Sequence, residues 1–168
     1  MPTYHTFLNS PLGKLRLRAT EKSLIAVDHT NQQRILAADC IENPAHPILL
    51  QASSELEEYF SGTRTEFHTP LAPAGTAFQQ HVWQALLTIP HGQTTSYSDI
   101  AQMLNTPNAV RATGTAIGRN PISIFIPCHR IIGKNGTLTG YAGGLENKQI
   151  LLELERKQTC FNLSNEAY

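Results

Sequence analysis

The residues with the clearest capacity for chemistry stand together at Pro127-Cys128-His129-Arg130. A thiol becomes a strong nucleophile as the thiolate, and neighbouring cationic or proton-accepting groups lower its pKa from about 8.5. Cys128 follows a rigid proline and the apolar run Ile122 to Ile126, and it precedes two side chains that carry or accept protons. Two readings stand at this point: an activated thiol, or a buried structural cysteine, the commonest setting for this residue type. His129 adds a geometric condition. Adjacent side chains of a regular strand point to opposite faces, so a thiol–imidazole relay needs a turn or a bridging water. Cys40, after Ala-Ala-Asp, and Cys160, in a polar tail, have no neighbours that suggest reactivity. Three scattered cysteines without a CxxC pair also argue against a disulfide framework or a zinc knuckle.

The elements that must position this segment are legible from periodicity. Tyr4 to Leu8, Lys14 to Arg18 and Ser23 to Asp28 read as a three-stranded β-meander, with turns at Asn9-Ser10-Pro11 and Thr20-Glu21-Lys22. His46 to Ser61 carries apolar residues at helical spacing and stops at Gly62. Thr69 to Gly75 has the composition of a linker. Thr76-Ala77-Phe78-Gln79 then opens a helix with a capping-box pattern, and Pro90 closes it. Ser96-Tyr97-Ser98-Asp99 opens another in the same style, running to about Leu104. Asn105-Thr106-Pro107 forms a tight turn, with Pro107 suited to the first position of a helix over 108–118. This is a helix-turn-helix pattern.

Its second helix is built from small residues: Ala109, Ala112, Thr113, Gly114, Thr115, Ala116 and Gly118. Gly in a helix interior costs up to about 1 kcal/mol relative to Ala, so close approach of another backbone has been favoured over propensity. That backbone belongs either to a nucleic acid or to a neighbouring helix. Beyond the active segment, Ile131 to Gly136 reads as a strand and hairpin turn, Tyr141 to Gly144 as a flexible loop, and Leu145 to about Lys157 as a last helix. Residues 161–168 are expected to fray.

Bulk composition narrows the classes. The 168 residues include 40% hydrophobic ones, enough for one or two small globular domains. No apolar run reaches membrane-spanning length and no signal peptide is seen at Met1-Pro2-Thr3-Tyr4-His5, so a cytoplasmic protein without a membrane partner is expected. Net charge is zero, from 13 basic and 13 acidic residues. Between Asn108 and Lys148, however, Arg111, Arg119, Arg130, Lys134 and Lys148 face only Glu146. Such a stretch is either a polyanion-facing surface or an ordinary solvated face.

Taken in order, Ile126 to Ile132 (IPCHRII), TSY before one helix, AVRATG on the next, RNP at its end and GYAGG before the last helix resemble the O6-alkylguanine-DNA alkyltransferases of bacterial type. SPLGKLRL and LIAVDH resemble the smaller first domain of that family. The resemblance implies an α+β protein with two domains. A ribonuclease H-like β-meander plus helix would occupy residues 1–72. A mostly helical, winged helix-turn-helix-like domain carrying the PCHR site would occupy 73–168. It implies a methylated-DNA–protein-cysteine methyltransferase activity: repair of double-stranded DNA by irreversible, single-turnover transfer of an alkyl group from a flipped-out base to Cys128. His129 would take the thiol proton through a water, Glu155 would orient and charge-balance it, and Tyr97 would donate to the purine edge. Asn120 would sit at the hinge before the active segment, and Lys148 would support the site electrostatically.

Arg111 would wedge into the duplex from the minor groove. Thr95, Ser96, Tyr97, Ala112, Thr113, Gly114 and Arg130 are expected beside it on the DNA. Tyr141, Ala142 and Gly143 would wall the pocket. Ala142 stands where some members carry serine, which suggests a roomier pocket and activity on O4-methylthymine as well. No cofactor or metal is expected, since the chain has neither a glycine-rich nucleotide loop nor a metal-ligand cluster. A monomer without an obligate protein partner is expected. The rival readings are a lesion-binding DNA protein without transfer activity and a thiol hydrolase, which would leave Arg111 and the small-residue helix unexplained.

Overall fold

A computed structural model describes residues 1–29 and 38–166. Strands β1 (Thr3–Ser10), β2 (Gly13–Ala19) and β3 (Leu24–His29) form the expected antiparallel meander. A fourth strand that sequence reading did not find, β4 (Cys40–Glu42), pairs parallel with β1, giving the order β3-β2-β1-β4. Leu15, Leu17 and Ala19 alternate inward from β2 and are fully buried beneath α1 (Pro47–Ser61). Gly62, at φ 84, ends that helix in the left-handed conformation glycine adopts without strain.

The chain forms two compact units, Met1–Ala74 with Pro121–Phe125, and Gly75–Asn120 with Ile126–Tyr168. The return of residues 121–125 to the first unit differs from the simple division at residue 72. Its cause is local. The Val27 N–H donates to the Pro121 carbonyl, Ile122 bridges to Val27, and the Phe125 and Phe67 rings lie 4.4 Å apart.

The second unit begins with α2 (Ala77–Leu86) and α3 (Tyr97–Met103), both opened by the expected capping boxes. Thr76 and Gln79 exchange hydrogen bonds of 3.2 and 2.9 Å, and Ser96 and Asp99 do the same at 3.1 and 3.4 Å. Gly75 passes so close to Trp83 that a Cβ would lie 2.5 Å from its ring. The Trp83 indole N–H in turn donates to the Ala116 carbonyl at 2.9 Å, tying α2 to α4 (Val110–Gly118). Regular helix starts at Val110, so Pro107 belongs to the preceding turn rather than the first helical position; Asn105 at φ 56 makes the bend.

The short strands β5 (Thr95–Ser96) and β6 (Ile131–Ile132) pair with each other in parallel. The turn expected after Ile131 forms, with Gly136 at φ 83 and the Gly133 N–H on the Thr137 carbonyl, but β6 pairs with β5 rather than with a following strand. Helix α5 (Leu145–Glu166) continues well past Lys157, correcting the expected frayed end, while residues 167–168 lie outside the described residues. Among the described residues no helix is long and apolar enough to cross a membrane.

Candidate active site

Cys128 opens a 3-10 turn over Cys128–Arg130, which supplies the turn that the thiol–imidazole pairing requires. The Cys128 N–H donates to the Ile126 carbonyl at 2.8 Å, and the Asn120 amide donates to the same carbonyl at 2.8 Å. Asn120, buried just past the C-terminal end of α4, thereby fixes the segment entering the turn, and its side chain also hydrogen-bonds the thiol. Burial pushes the Cys128 thiol up; the Asn120 hydrogen bond and the Lys148 charge act against that rise. Cys128 itself is buried, 7% exposed.

Glu155 on α5 is the hub behind it. His129 Nε2 lies 2.7 Å from Glu155 Oε1, and Arg130 donates to both carboxylate oxygens at 2.9 Å. The Gly92 N–H adds a contact at 3.3 Å, and His91 Nδ1 stands 3.9 Å away. Burial alone would raise the Glu155 pKa. The hydrogen bonds and charges of His129 and Arg130 outweigh it and hold the carboxyl well below its ordinary range. An ionised Glu155 assigns the His129 proton to Nε2, leaving the lone pair on Nδ1. That nitrogen is buried and has no protein hydrogen-bond partner among the described residues. Burial lowers the His129 pKa, against the pull of Glu155.

Lys148, fully buried, donates from Nζ to the Thr139 carbonyl at 2.6 Å. Burial lowers its pKa, and the nearby Cys128 opposes the shift. Tyr97, at the first turn of α3, shares a 2.8 Å hydrogen bond with the Thr139 hydroxyl. Tyr97, Gly114, Gly118, Asn120, Tyr141 and Ala142 line an open cavity of about 250 Å³ that also includes Cys128. Gly143 lies buried beside this wall and accepts a hydrogen bond from Asn147 rather than lining the cavity.

Along an adjoining stripe of α4, Arg111, Ala112 and Thr115, with the C-cap Arg119, border a shallow concavity of about 670 Å³. The helix's glycines are not demanded by the fold. A Cβ on Gly118 would meet nothing within 4 Å, and one on Gly114 would make only ordinary contact with Tyr97. Packing against a neighbouring helix therefore does not account for them.

Three expected DNA-facing residues turn inward. Arg130 is 7% exposed and is committed to Glu155 and, at 2.7 Å, to the Ile89 carbonyl. Thr113 is fully buried on the inner face of α4 with its hydroxyl on the Ala109 carbonyl, and Ser96 is the buried cap of α3. Thr95 is half-buried, its hydroxyl 3.3 Å from Asp99. With Lys148 also inside, the basic stretch reduces at the surface to Arg111, Arg119 and Lys134. Sequence reading missed Thr139 and the carboxylate-clamping role of Arg130. No residue pattern signals the first, and the second is set by a partner 25 positions away.

The fold and site together define a helix-turn-helix protein in which one cleft-lining thiol adjoins a buried imidazole–carboxylate–guanidinium network. Residues 3–73 match the family model described as 6-O-methylguanine DNA methyltransferase, ribonuclease-like domain, and residues 77–157 match that of its DNA binding domain. The chain belongs to the 6-O-methylguanine DNA methyltransferase family. It is 47% identical over 154 residues to a methylated-DNA–protein-cysteine methyltransferase of Methanosarcina barkeri, covering 90% of this chain and 96% of that one. The crystal structure of the Mycobacterium tuberculosis O6-methylguanine methyltransferase is similar at a TM-score of 0.86 and 42% identity, over 93% of this chain and 94% of that one. A structure of the M. tuberculosis OGT in complex with DNA matches with the same TM-score and identity, over 92% and 94%.

Proposed function

We propose that this protein repairs alkylated double-stranded DNA by moving the alkyl group from O6 of guanine onto the Cys128 sulfur, once per molecule. The observation that carries this reading is the buried His129–Glu155–Arg130 network adjoining the one cysteine that lines the cavity.

Attack at an alkyl carbon suits a soft, polarizable thiolate. The S–C bond forms as the C–O bond to the base breaks, and the electron pair stays with the base oxygen. The thiol proton passes through a water to His129 Nδ1, and Glu155 offsets the imidazolium charge, with Arg130 holding the carboxylate in place. The Lys148 cation and the Asn120 amide stabilise the thiolate that burial disfavours. Tyr97 donates a hydrogen bond to the purine edge as electron density grows there. The product is a thioether, which water does not reverse, so the molecule is consumed.

The target base lies inside a duplex and must be rotated out, costing a few kcal/mol that a lesion partly lowers. Arg111, exposed on α4, fills the vacated stack from the minor groove. Gly114 and Gly118 leave room for sugar and phosphate, with Ala112 and Thr95 flanking the contact. The DNA complex of the M. tuberculosis relative supports this partner. We assign the activity to a monomer acting in the cytoplasm, where thiols stay reduced. Tyr141 and Ala142 wall the base site, and the small Ala142 side chain leaves space for O4-methylthymine.

A duplex bearing one O6-methylguanine, titrated with protein, should lose one lesion per protein molecule and then stop. Multiple turnovers, or no loss, would overturn the proposal. A parallel titration with O4-methylthymine that shows no loss would confine the activity to the purine.

A further inference from the structure

The Tyr97 hydroxyl is not free to rotate: it shares a 2.8 Å hydrogen bond with Thr139 Oγ1. Thr139 itself is clamped, because its carbonyl accepts the buried Lys148 ammonium at 2.6 Å. One residue therefore touches both the hydroxyl of a cavity-lining tyrosine and the buried cation whose charge acts on the thiol. We propose that Thr139 is a positioning residue for alkyl transfer, orienting the Tyr97 O–H toward the base through its own hydroxyl.

The inference rests on the repair reading above and follows from donor counting. A tyrosine hydroxyl has one proton to donate. If Tyr97 spends that proton on the base, the Tyr97–Thr139 hydrogen bond persists only with Thr139 as donor and the phenol oxygen as acceptor. A hydrogen bond received by the phenol oxygen polarises its O–H and strengthens the bond that O–H gives. Thr139 thus selects the rotamer in which the phenol proton points away from itself, and it makes that proton the better donor. Because developing charge sits on the base in the transition state, the benefit falls on the chemical step more than on DNA binding. The Lys148 contact fixes the backbone from which the hydroxyl is presented, and this contact survives when only the side chain is changed.

The test is a four-member cycle of single-turnover measurements on an O6-methylguanine duplex: the unaltered protein, Thr139→Val, Tyr97→Phe and the double variant. Thr139→Val should lower the maximal transfer rate by about fivefold, with the half-saturating DNA concentration changed by less than about twofold. Thr139→Ser, which returns the hydroxyl, should recover most of that loss. In the Tyr97→Phe background, Thr139→Val should cost less than about twofold, since the hydroxyl it serves is gone. Thermal melting of each variant reports whether the fold is kept. Should Thr139→Val prove unfolded, the Thr139→Ala and Thr139→Ser pair carries the same comparison. An unaltered rate for Thr139→Val, or an equal loss in both backgrounds, would overturn the inference. Absence of transfer by the unaltered protein would instead remove the repair reading beneath it.

Discussion

Two carboxylates, one in each unit, are buried to nearly the same degree and both titrate below their ordinary range, yet they are built for different ends. Glu55 on α1, 4% exposed, receives the N–H groups of His68 and Thr69, the Thr69 hydroxyl and the Gln51 amide. Burial alone would raise its pKa, and these neutral donors reverse the shift. Glu155 on α5, 1% exposed, receives a guanidinium and an imidazole. A carboxylate held by backbone and hydroxyl groups only ties a loop to a helix. One held by a titratable ring can absorb a change of charge on that ring, which a proton transfer from Cys128 demands.

The largest expected effect comes from breaking the second arrangement. Glu155→Gln removes the counter-charge of His129 and leaves Arg130 buried without an anion. Transfer should fall by about 100-fold or more, and stability by about 3 kcal/mol. Single-turnover kinetics on lesion DNA and urea denaturation read the two separately. A variant that loses stability but keeps its rate per folded molecule would make Glu155 another Glu55.

Glu55→Gln sharpens the contrast from the other side. It exchanges a strong acceptor for a weaker one at four donors, and should cost about 1–2 kcal/mol in urea denaturation. The transfer rate per folded molecule should stay within about twofold of the unaltered protein.

Acid separates the same groups by a smaller margin. Both carboxyls sit lower folded than unfolded, so their stabilisation is whole above the unfolded value near 4.3 and is lost as pH falls through the folded values. The buried His129 and His29 also sit lower folded than unfolded, chiefly through burial. Below about pH 6.5 the unfolded rings take up protons that the folded ones refuse, so stability falls as pH drops. Urea midpoints should therefore fall steadily from pH 7 to pH 5.5. Glu55→Gln should show the same slope in that window, since its carboxyl does not titrate there.

What sequence reading could reach follows the same division between local and distant causes. The capping boxes at Thr76 and Ser96, the stop at Gly62 and the turn at Asn105 were legible because each is decided within a few residues. The resemblance around PCHR brought Glu155 and Lys148 to the site, which spacing alone leaves as ordinary helix charges. Sequence alone puts Arg130 on the DNA, because a basic residue beside a reactive thiol gives no local sign of a buried carboxylate 25 positions on. Thr113 was recoverable: with Ala116 and Ile117 it falls at i, i+3 and i+4 on the buried face of α4. The length of α5 was recoverable too, since no Gly or Pro follows Gly144. The three-residue β4 and the parallel β5–β6 pair were not, because pairings this short are fixed by tertiary neighbours rather than by pattern.

The most direct measurement is intact-protein mass spectrometry, with peptide mapping, after incubation with an O6-methylguanine duplex. One added methyl group on the peptide containing Cys128, none on those containing Cys40 or Cys160, and none at all in Cys128→Ser, is the predicted result. An unchanged mass, or methylation that persists in Cys128→Ser, would contradict the account.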